Sequence, residues 1–255
     1  MYSLNLLGFN SGMPRADQLM YETIAGSHGR GVASPTSDLD VIGIFVPDYE
    51  TLYPYKVPGF GTRPANFKVI QKPSIDVTFE GLGNMTVDVQ ALNVVHFFNM
   101  LLKSSPNHVE YLYFNDDMKV MGAAGEYLMQ HRRLFMTQAL IRKFVAAGLA
   151  IAGSGKDSTN KELALATRFF IYAYQVYAHQ ELRPDAVRDT NMRVLHGDQL
   201  YVQSVVDMYK SFALEIERST CTLPQTVNEE AANKLLLAVL KLHWAEQSVK
   251  EQHNG

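Results

Sequence analysis

The sequence predicts an α+β fold, with a β-sheet domain over residues 1–128 and an all-helical domain over residues 129–255. The first part is rich in Gly, Pro and Asp, and it carries short runs of β-branched and aromatic residues, which are typical of strands between turns. The second part contains long proline-free stretches in which apolar residues recur at helical spacing. These patterns place the change from strands to helices near residues 115–135.

Five runs in the first part have the composition of strands. They cover residues 19–25, 41–46, 67–70, 75–79 and 86–89. Residues 80–84, Glu-Gly-Leu-Gly-Asn, are typical of a hairpin turn, so the fourth and fifth strands should be antiparallel neighbours. A helix-like run, residues 91–103, follows the fifth strand.

Four long helices are predicted in the second part. They cover residues 135–152, 160–182, 199–217 and 229–249. The last one begins with Glu229 and Glu230, acidic residues of the kind that stabilise a first helical turn. Residues 247–255 are polar and are expected to fray.

Composition and charge exclude several classes of protein. With 255 residues, 47% of them apolar and 19% charged, the chain is neither disordered nor collagenous. Its net charge of −3 provides no generally basic surface for nucleic acid. The single cysteine, Cys221, cannot form an internal disulfide. The first residues lack the basic region and long apolar run of a signal peptide, and no apolar stretch approaches 18 residues, so neither a leader nor a membrane span is expected. A cytoplasmic protein with no membrane partner is therefore expected.

Charge is distributed unevenly between the two parts. Residues 1–128 hold 8 Lys and Arg against 13 Asp and Glu, whereas residues 129–255 hold 15 against 13. Ordinary surface variation is the favoured explanation for most of these charges. The functional alternative is an acidic, metal-binding part that faces a more basic part holding phosphates.

A glycine-rich segment at residues 153–157, Gly-Ser-Gly-Lys-Asp, resembles a phosphate-binding loop. The Walker pattern requires Gly where this chain has Ala150, and Ser or Thr where it has Asp157. The segment also follows a helical run rather than a strand. It is therefore interpreted as a helix end followed by a turn.

Residues 19–47 carry the pattern with the clearest chemical content. An apolar run leads into Gly26-Ser27, and after ten intervening residues Asp38-Leu39-Asp40 opens a second apolar run. Alternation along a strand puts Asp38 and Asp40 on one face. Two carboxylates this close repel each other unless a cation lies between them, and oxygen ligands suit Mg²⁺. Asp-x-Asp alone would favour a solvated pair at a strand start, whereas the complete spaced pattern favours a functional site.

The glycines of this segment add a candidate phosphate site. Gly26, Gly29 and Gly31 permit the backbone to approach a bulky anion closely. The Ser27 hydroxyl and nearby backbone N–H groups could hold phosphate oxygens.

This segment resembles the signature of the DNA polymerase β superfamily of nucleotidyltransferases, and within it the bacterial and phage branch associated with RNA repair. The matching positions are Gly26, Ser27, Gly31, Ala33, Pro35, Ser37, Asp38, Asp40, Val41 and Gly43. Weaker similarity continues at Asp88, at Ser105-Pro106 and at residues 109–112, where the family has an acid, Asn-Pro and Leu-Glu-x-Leu. Lys161 and Arg168 fit a family helix that carries Lys and Arg.

Two departures from the family leave the acidic residues intact. His28 stands where the family has Arg, with Arg30 two residues further on. His96 stands where the family has Lys, in the helix after the third acid.

The resemblance implies a mixed-sheet nucleotidyltransferase domain followed by a helical domain, with the active cleft between them. The implied reaction moves a nucleoside monophosphate from a nucleoside triphosphate to an acceptor hydroxyl, assisted by two Mg²⁺ ions or by Mn²⁺, and releases pyrophosphate. The residues expected to act in catalysis and metal binding are Asp38, Asp40 and Asp88. Those expected to bind nucleotide are Gly26, Ser27, Arg30, Lys161 and Arg168.

Lys161 and Arg168 also have an equally good alternative interpretation. They lie seven residues apart and so share one helix face, but both could be solvated surface cations.

The identity of the acceptor is inferred from the resemblance alone. An RNA end is favoured because of the family's association with RNA repair. A protein hydroxyl and a small molecule such as an aminoglycoside are alternatives. A nucleotide-binding regulatory protein without turnover is a further alternative, which the three intact carboxylates disfavour.

The third acid could be Asp76 or Asp88, since both lie in strand-like runs. Asp88 is predicted because it precedes the helix-like run at residues 91–103, and the resembling family places its third acid at that passage. The hairpin at residues 80–84 would make the strand of Asp76 an outer neighbour of the strand of Asp88.

Overall fold

The computed structural model describes residues 14–48, 69–71, 74–79, 83–114, 119–120, 122–152 and 158–254. The glycine-rich segment at 153–157 and the central turn residues 80–82 lie outside these ranges.

The described strands form one mixed sheet, which confirms the predicted α+β class. The strands are β1 (Leu19–Ile24), β2 (Leu39–Phe45), β3 (Val69–Gln71), β4 (Ile75–Phe79), β5 (Gly83–Asn93) and β6 (Lys119–Val120). Their order is β3-β5-β2-β1-β6, with β4 also paired to β5. Strands β2 and β5 are parallel, whereas the other pairs are antiparallel.

Of the described helices, a short one lies between β1 and β2, two lie between β5 and β6, and the others follow the sheet. The helices are α1 (Gly26–Gly29), α2 (Val94–Leu102), α3 (Pro106–Tyr111), α4 (Ala123–Gln130), α5 (Gln138–Ala152), α6 (Asn160–His179), α7 (Arg188–His196), α8 (Gln199–Arg218) and α9 (Glu229–Asn254). None of the described helices has the length and apolar character needed to cross a membrane.

Several boundaries differ from the sequence prediction, and three of the differences lie in the helices. Helix α5 begins at Gln138 because a 3₁₀ turn occupies residues 132–135. Helix α6 ends at His179 because Gln180 adopts the left-handed conformation, with φ of +52°. Helix α9 does not fray at residue 247, where the Gln247 side chain donates a hydrogen bond to the Asp17 carbonyl oxygen.

A further difference lies at the end of β5. The strand continues to Asn93 because its pairing with β2 extends that far. Asn93 then caps α2, since its side-chain oxygen accepts a hydrogen bond from the Val95 N–H at 2.9 Å. The strand is therefore longer, and the helix begins later, than residue types suggest.

The hairpin between β4 and β5 is confirmed. The two strands are antiparallel from Phe79 opposite Gly83 to Ile75 opposite Val87. The strand of Asp76 is thus an outer neighbour of the strand of Asp88.

Alternation on β2 divides its side chains between two apolar clusters. Ile42 and Ile44 pack in the main core with the helices, whereas Val41 and Phe45 join a smaller cluster on the opposite face. Asp40 shares the alternation of Ile42 and Ile44, so it lies on the face that the helices cover.

The main core crosses the predicted domain boundary. Phe97 and Leu101 from α2 belong to the same buried cluster as Phe144 and Tyr172 from α5 and α6. The division into residues 1–128 and 129–255 stays a prediction.

Candidate active site

Asp40 and Asp88 lie side by side in the sheet. Strands β2 and β5 run parallel, and their register pairs Asp40 with Asp88. Both side chains are half-buried and share one face, because paired residues of neighbouring strands point to the same side. Asp38 is exposed and directly precedes β2.

The three carboxylates interact electrostatically. Burial raises the pKa of Asp40, and the charges of Asp88 and Asp38 raise it further, while Arg30 and His28 oppose the shift. Asp40 is therefore a carboxylate whose negative charge is disfavoured by its surroundings. A cation bound between the carboxylates would reverse that balance.

Asp76 is placed differently. It is exposed on β4 and lies opposite Thr86, whose hydroxyl donates a hydrogen bond to Asp76 Oδ1 at 2.9 Å. Strand β5 separates Asp76 from β2. The structure thus brings Asp88, and not Asp76, next to Asp40.

The Gly-Ser turn lies directly against the Asp40 carboxylate. Gly26 and Ser27 begin the one-turn helix α1, and Ser27 is half-buried. Gly26 has φ of +62°, and a Cβ at this position would collide with the Asp40 carboxylate. Glycine is therefore required here both for backbone conformation and for space.

The turn is also tied to the residues before Asp38. The His28 ring nitrogen Nε2 lies 3.2 Å from the Ser37 carbonyl oxygen, within hydrogen-bond distance. The Val32 N–H donates to the Ser27 carbonyl oxygen at 3.0 Å. These contacts set the turn against the start of β2.

A buried carboxylate, Glu110 on α3, joins this turn to α6. Arg30 donates to Glu110 through Nε at 2.8 Å and through Nη2 at 3.3 Å. The Tyr172 hydroxyl donates to Glu110 Oε1 at 2.7 Å, and Arg168 Nη1 lies 3.8 Å from the same oxygen. We call Arg30, Glu110, Arg168 and Tyr172 the Glu110 cluster.

Charge within the Glu110 cluster is balanced by pairing between its members. Burial alone would raise the pKa of Glu110, but Arg168 and Arg30 outweigh burial and hold that pKa below its usual value. Burial opposes the charge of Arg30 too, yet Glu110 raises the Arg30 pKa. Burial lowers the pKa of Arg168, and the opposing effect of the Glu110 charge is too small to restore the usual value. The Arg168 Nε–H has no hydrogen-bond partner among the described residues.

The structure does not bring Lys161 and Arg168 together. Lys161 is exposed in the first turn of α6, whereas Arg168 is only 5% exposed and directed to Glu110. Seven helical residues separate the two positions by about 10 Å.

His96 lies on α2, close to a second histidine. Its ring centroid is 6.3 Å from that of His108, and His96 is half-buried. Burial and the neighbouring His96 lower the pKa of His108 to about 4, so His108 is neutral at physiological pH. The His108 Nδ1 atom lies 2.8 Å from the Ser105 hydroxyl.

Sequence reasoning assigned no role to Glu110 or Tyr172. A glutamate between apolar neighbours, Val109 and Tyr111, was the available signal, because a carboxylate in an apolar run is buried only when paired. Its partners lie 80 and 62 residues away, so the sequence does not identify them.

Two carboxylates at this site could hold a divalent cation. Asp40 and Asp88 offer aligned oxygen donors, and Mg²⁺ often takes one or two protein carboxylates with substrate phosphates as further ligands. Within the described ranges, no three His, Cys, Asp or Glu side chains gather into a cluster that would hold a metal ion.

A comparison with family models identifies the chain's relatives. The model of the RNA repair pathway DNA polymerase beta family matches residues 11–201, about three quarters of the chain. The chain belongs to this family. The match confirms the resemblance seen in residues 19–47 and includes the Gly-Ser turn, all three candidate acids and the Glu110 cluster. Membership supports a nucleotidyltransferase-like function connected with RNA repair. No curated protein matches the chain significantly.

Proposed function

We propose that this protein transfers a nucleoside monophosphate from a nucleoside triphosphate to a hydroxyl at an RNA end and releases pyrophosphate. The observation that carries the proposal is the pairing of Asp40 with Asp88 beside the Gly26-Ser27 turn. Carboxylates and a phosphate-holding turn in contact are the two parts that a nucleotidyl transfer needs.

The site fits Mg²⁺ by its donor chemistry and by its charge. Asp40 and Asp88 supply oxygen donors, and the raised pKa of Asp40 indicates a carboxylate that a cation would stabilise. We propose Asp38, which is exposed directly before β2, as a further acidic ligand beside Asp40 and the third acid, Asp88. Bound Mg²⁺ or Mn²⁺ supplies charge stabilisation to the reacting phosphate and lowers the pKa of a bound hydroxyl.

The chain's own residues position the reactants. The Ser27 hydroxyl and backbone N–H groups of the turn bind the β and γ phosphates. Asp88 accepts the proton of the attacking acceptor hydroxyl. Arg30 is held by Glu110 and contributes positive charge beside Asp40.

RNA is the proposed acceptor, and the family's connection with RNA repair supports it. The test incubates the protein and Mg²⁺ with each α-³²P-labelled triphosphate, first with total RNA and then with cell lysate. Labelled RNA is expected. Label in protein or in a small molecule would contradict the RNA acceptor, and no label with any triphosphate would contradict the transfer itself.

Asp88→Asn should lower turnover by at least about 10²-fold, whereas Asp76→Asn should leave turnover nearly unchanged. Asp88 lies opposite Asp40, while Asp76 is exposed on the outer strand. The two variants make the same chemical change on neighbouring strands, so each controls for the other. Initial rates of label transfer measure the effect, and the reverse ranking would show that Asp76 is the third acid.

Ser27→Ala should weaken binding of a triphosphate roughly 10- to 100-fold and weaken binding of the matching monophosphate much less. The reason is that the Ser27 hydroxyl is proposed to contact phosphates beyond the first. Calorimetric titration with both nucleotides measures the effect. Ser248→Ala is the control, because this exposed serine lies on α9. Equal losses for the two nucleotides would contradict the placement of Ser27.

A further inference from the structure

We propose that Arg188 binds a substrate phosphate at the edge of the Gly-Ser turn, an inference that rests on the proposed function. Arg188 is the first residue of α7 and is exposed. Its Cδ atom lies 3.6 Å from the position that a Cβ would occupy at Gly31. Helix α7 therefore brings an arginine from the second half of the chain to the turn that carries Ser27.

Gly31 belongs to the same hydrogen-bonded turn as Ser27. Its N–H donates to the His28 carbonyl oxygen at 3.0 Å, and the N–H of the next residue, Val32, donates to the Ser27 carbonyl oxygen. Gly31 also has φ of +68°, which favours glycine. An anion bound by the turn would therefore lie close to the Arg188 side chain.

The need for another cation follows from the Glu110 cluster. Arg30 and Arg168 share one carboxylate, so their two positive charges are partly cancelled by Glu110. Arg168 is nearly inaccessible, and two nitrogens of Arg30 already donate to Glu110. These two arginines therefore have limited capacity to neutralise the several negative charges of a triphosphate or of an RNA strand.

Arg188 can supply this additional positive charge. Among the described residues, it has neither an ion pair nor a side-chain hydrogen bond. A guanidinium group binds phosphate oxygens through two parallel N–H donors, which a lysine cannot reproduce. The phosphate belongs either to the triphosphate or to the RNA acceptor, and both sources present the same oxygens.

The test compares Arg188→Gln with Arg193→Gln. Arg193 is exposed on the same helix, so its replacement removes the same charge away from Gly31. Fluorescence anisotropy measures binding of a Mg²⁺-triphosphate analogue that cannot react and, separately, of a single-stranded RNA oligonucleotide. Label transfer by the wild-type protein and the melting temperatures of all three proteins are recorded alongside.

Arg188→Gln is expected to weaken binding of one of the two ligands roughly 10- to 100-fold. Arg193→Gln is expected to leave binding of both ligands unchanged, and neither substitution should change the melting temperature. Loss of triphosphate binding assigns the contact to the nucleotide. Loss of RNA binding, with a salt dependence reduced by about 0.7 in slope, assigns it to the acceptor. Arg188→Lys should restore only part of the lost affinity.

Other outcomes overturn the inference. If Arg188→Gln and Arg193→Gln bind both ligands alike, Arg188 is not the phosphate contact, even when the wild-type protein transfers label. If the wild-type protein binds ligand but transfers no label, the proposed reaction is wrong, and the binding comparison still decides the role of Arg188. A wild-type protein that binds neither ligand overturns both proposals.

Discussion

Replacing Asp40 with alanine should lower nucleotidyl transfer by at least about 10²- to 10³-fold while the protein stays folded. Asp40 lies opposite Asp88 and against Gly26, so its carboxylate belongs to both parts of the proposed site. Its ionised form is disfavoured by burial and by Asp88, so removing the carboxylate relieves repulsion. We therefore expect the melting temperature to be unchanged or raised. Asp38→Ala should have the same effect on transfer.

Label transfer at saturating Mg²⁺ and triphosphate measures this prediction, with circular dichroism as the check on folding. Asp76→Ala is the matched control, because it removes an exposed aspartate from the same sheet. Near-wild-type turnover in Asp40→Ala would refute the assignment of the site. Loss of folding in this variant would mean that Asp40 acts in stability.

Glu110→Ala should destabilise the protein by about 3–5 kcal/mol, the effect typical of breaking a buried ion pair. Glu110 is 1% exposed and is the shared partner of Arg30 and Arg168. Its removal leaves both guanidinium groups without their carboxylate and leaves the Tyr172 hydroxyl without its acceptor. The expected fall in melting temperature is about 6–20 °C for a chain of this size.

Chemical denaturation at a series of pH values tests this prediction further. The folded-state pKa of Glu110 is below its usual value of 4.5, so its stabilising contribution is complete above that value and is lost as pH falls through the folded-state pKa. The difference in unfolding free energy between wild type and Glu110→Ala should therefore shrink in acid. Glu126→Ala, an exposed glutamate on α4, is the control. A pH-independent difference would refute the role of the Glu110 charge.

Local pattern was sufficient to predict most elements. The β-branched run at residues 75–79 is β4, and the proline-free stretch from residue 199 is α8. Spacing within one short segment also led to Asp38, Asp40 and the Gly-Ser turn. Such predictions succeed because alternation in strands and helical periodicity are properties of neighbouring residues.

Boundaries were less predictable where distant contacts decide them. The pairing of β5 with β2 extends the strand to Asn93, and the contact of Gln247 with the Asp17 carbonyl oxygen accompanies the continuation of α9 to Asn254. Both contacts join residues far apart in the chain. The residue types at a boundary do not indicate that such a distant contact exists.

The sequence by itself predicted the α+β class, five of the six described strands, the four longest helices, and the candidate acids and turn near the start of β2, but not β6, α4 or α7. Only the tertiary structure decided that Asp88 lies beside Asp40, that Arg30 and Arg168 share Glu110, and that Arg188 reaches Gly31. The physical reason is that strand register and buried ion pairs depend on packing the entire core, which joins residues far apart in the chain.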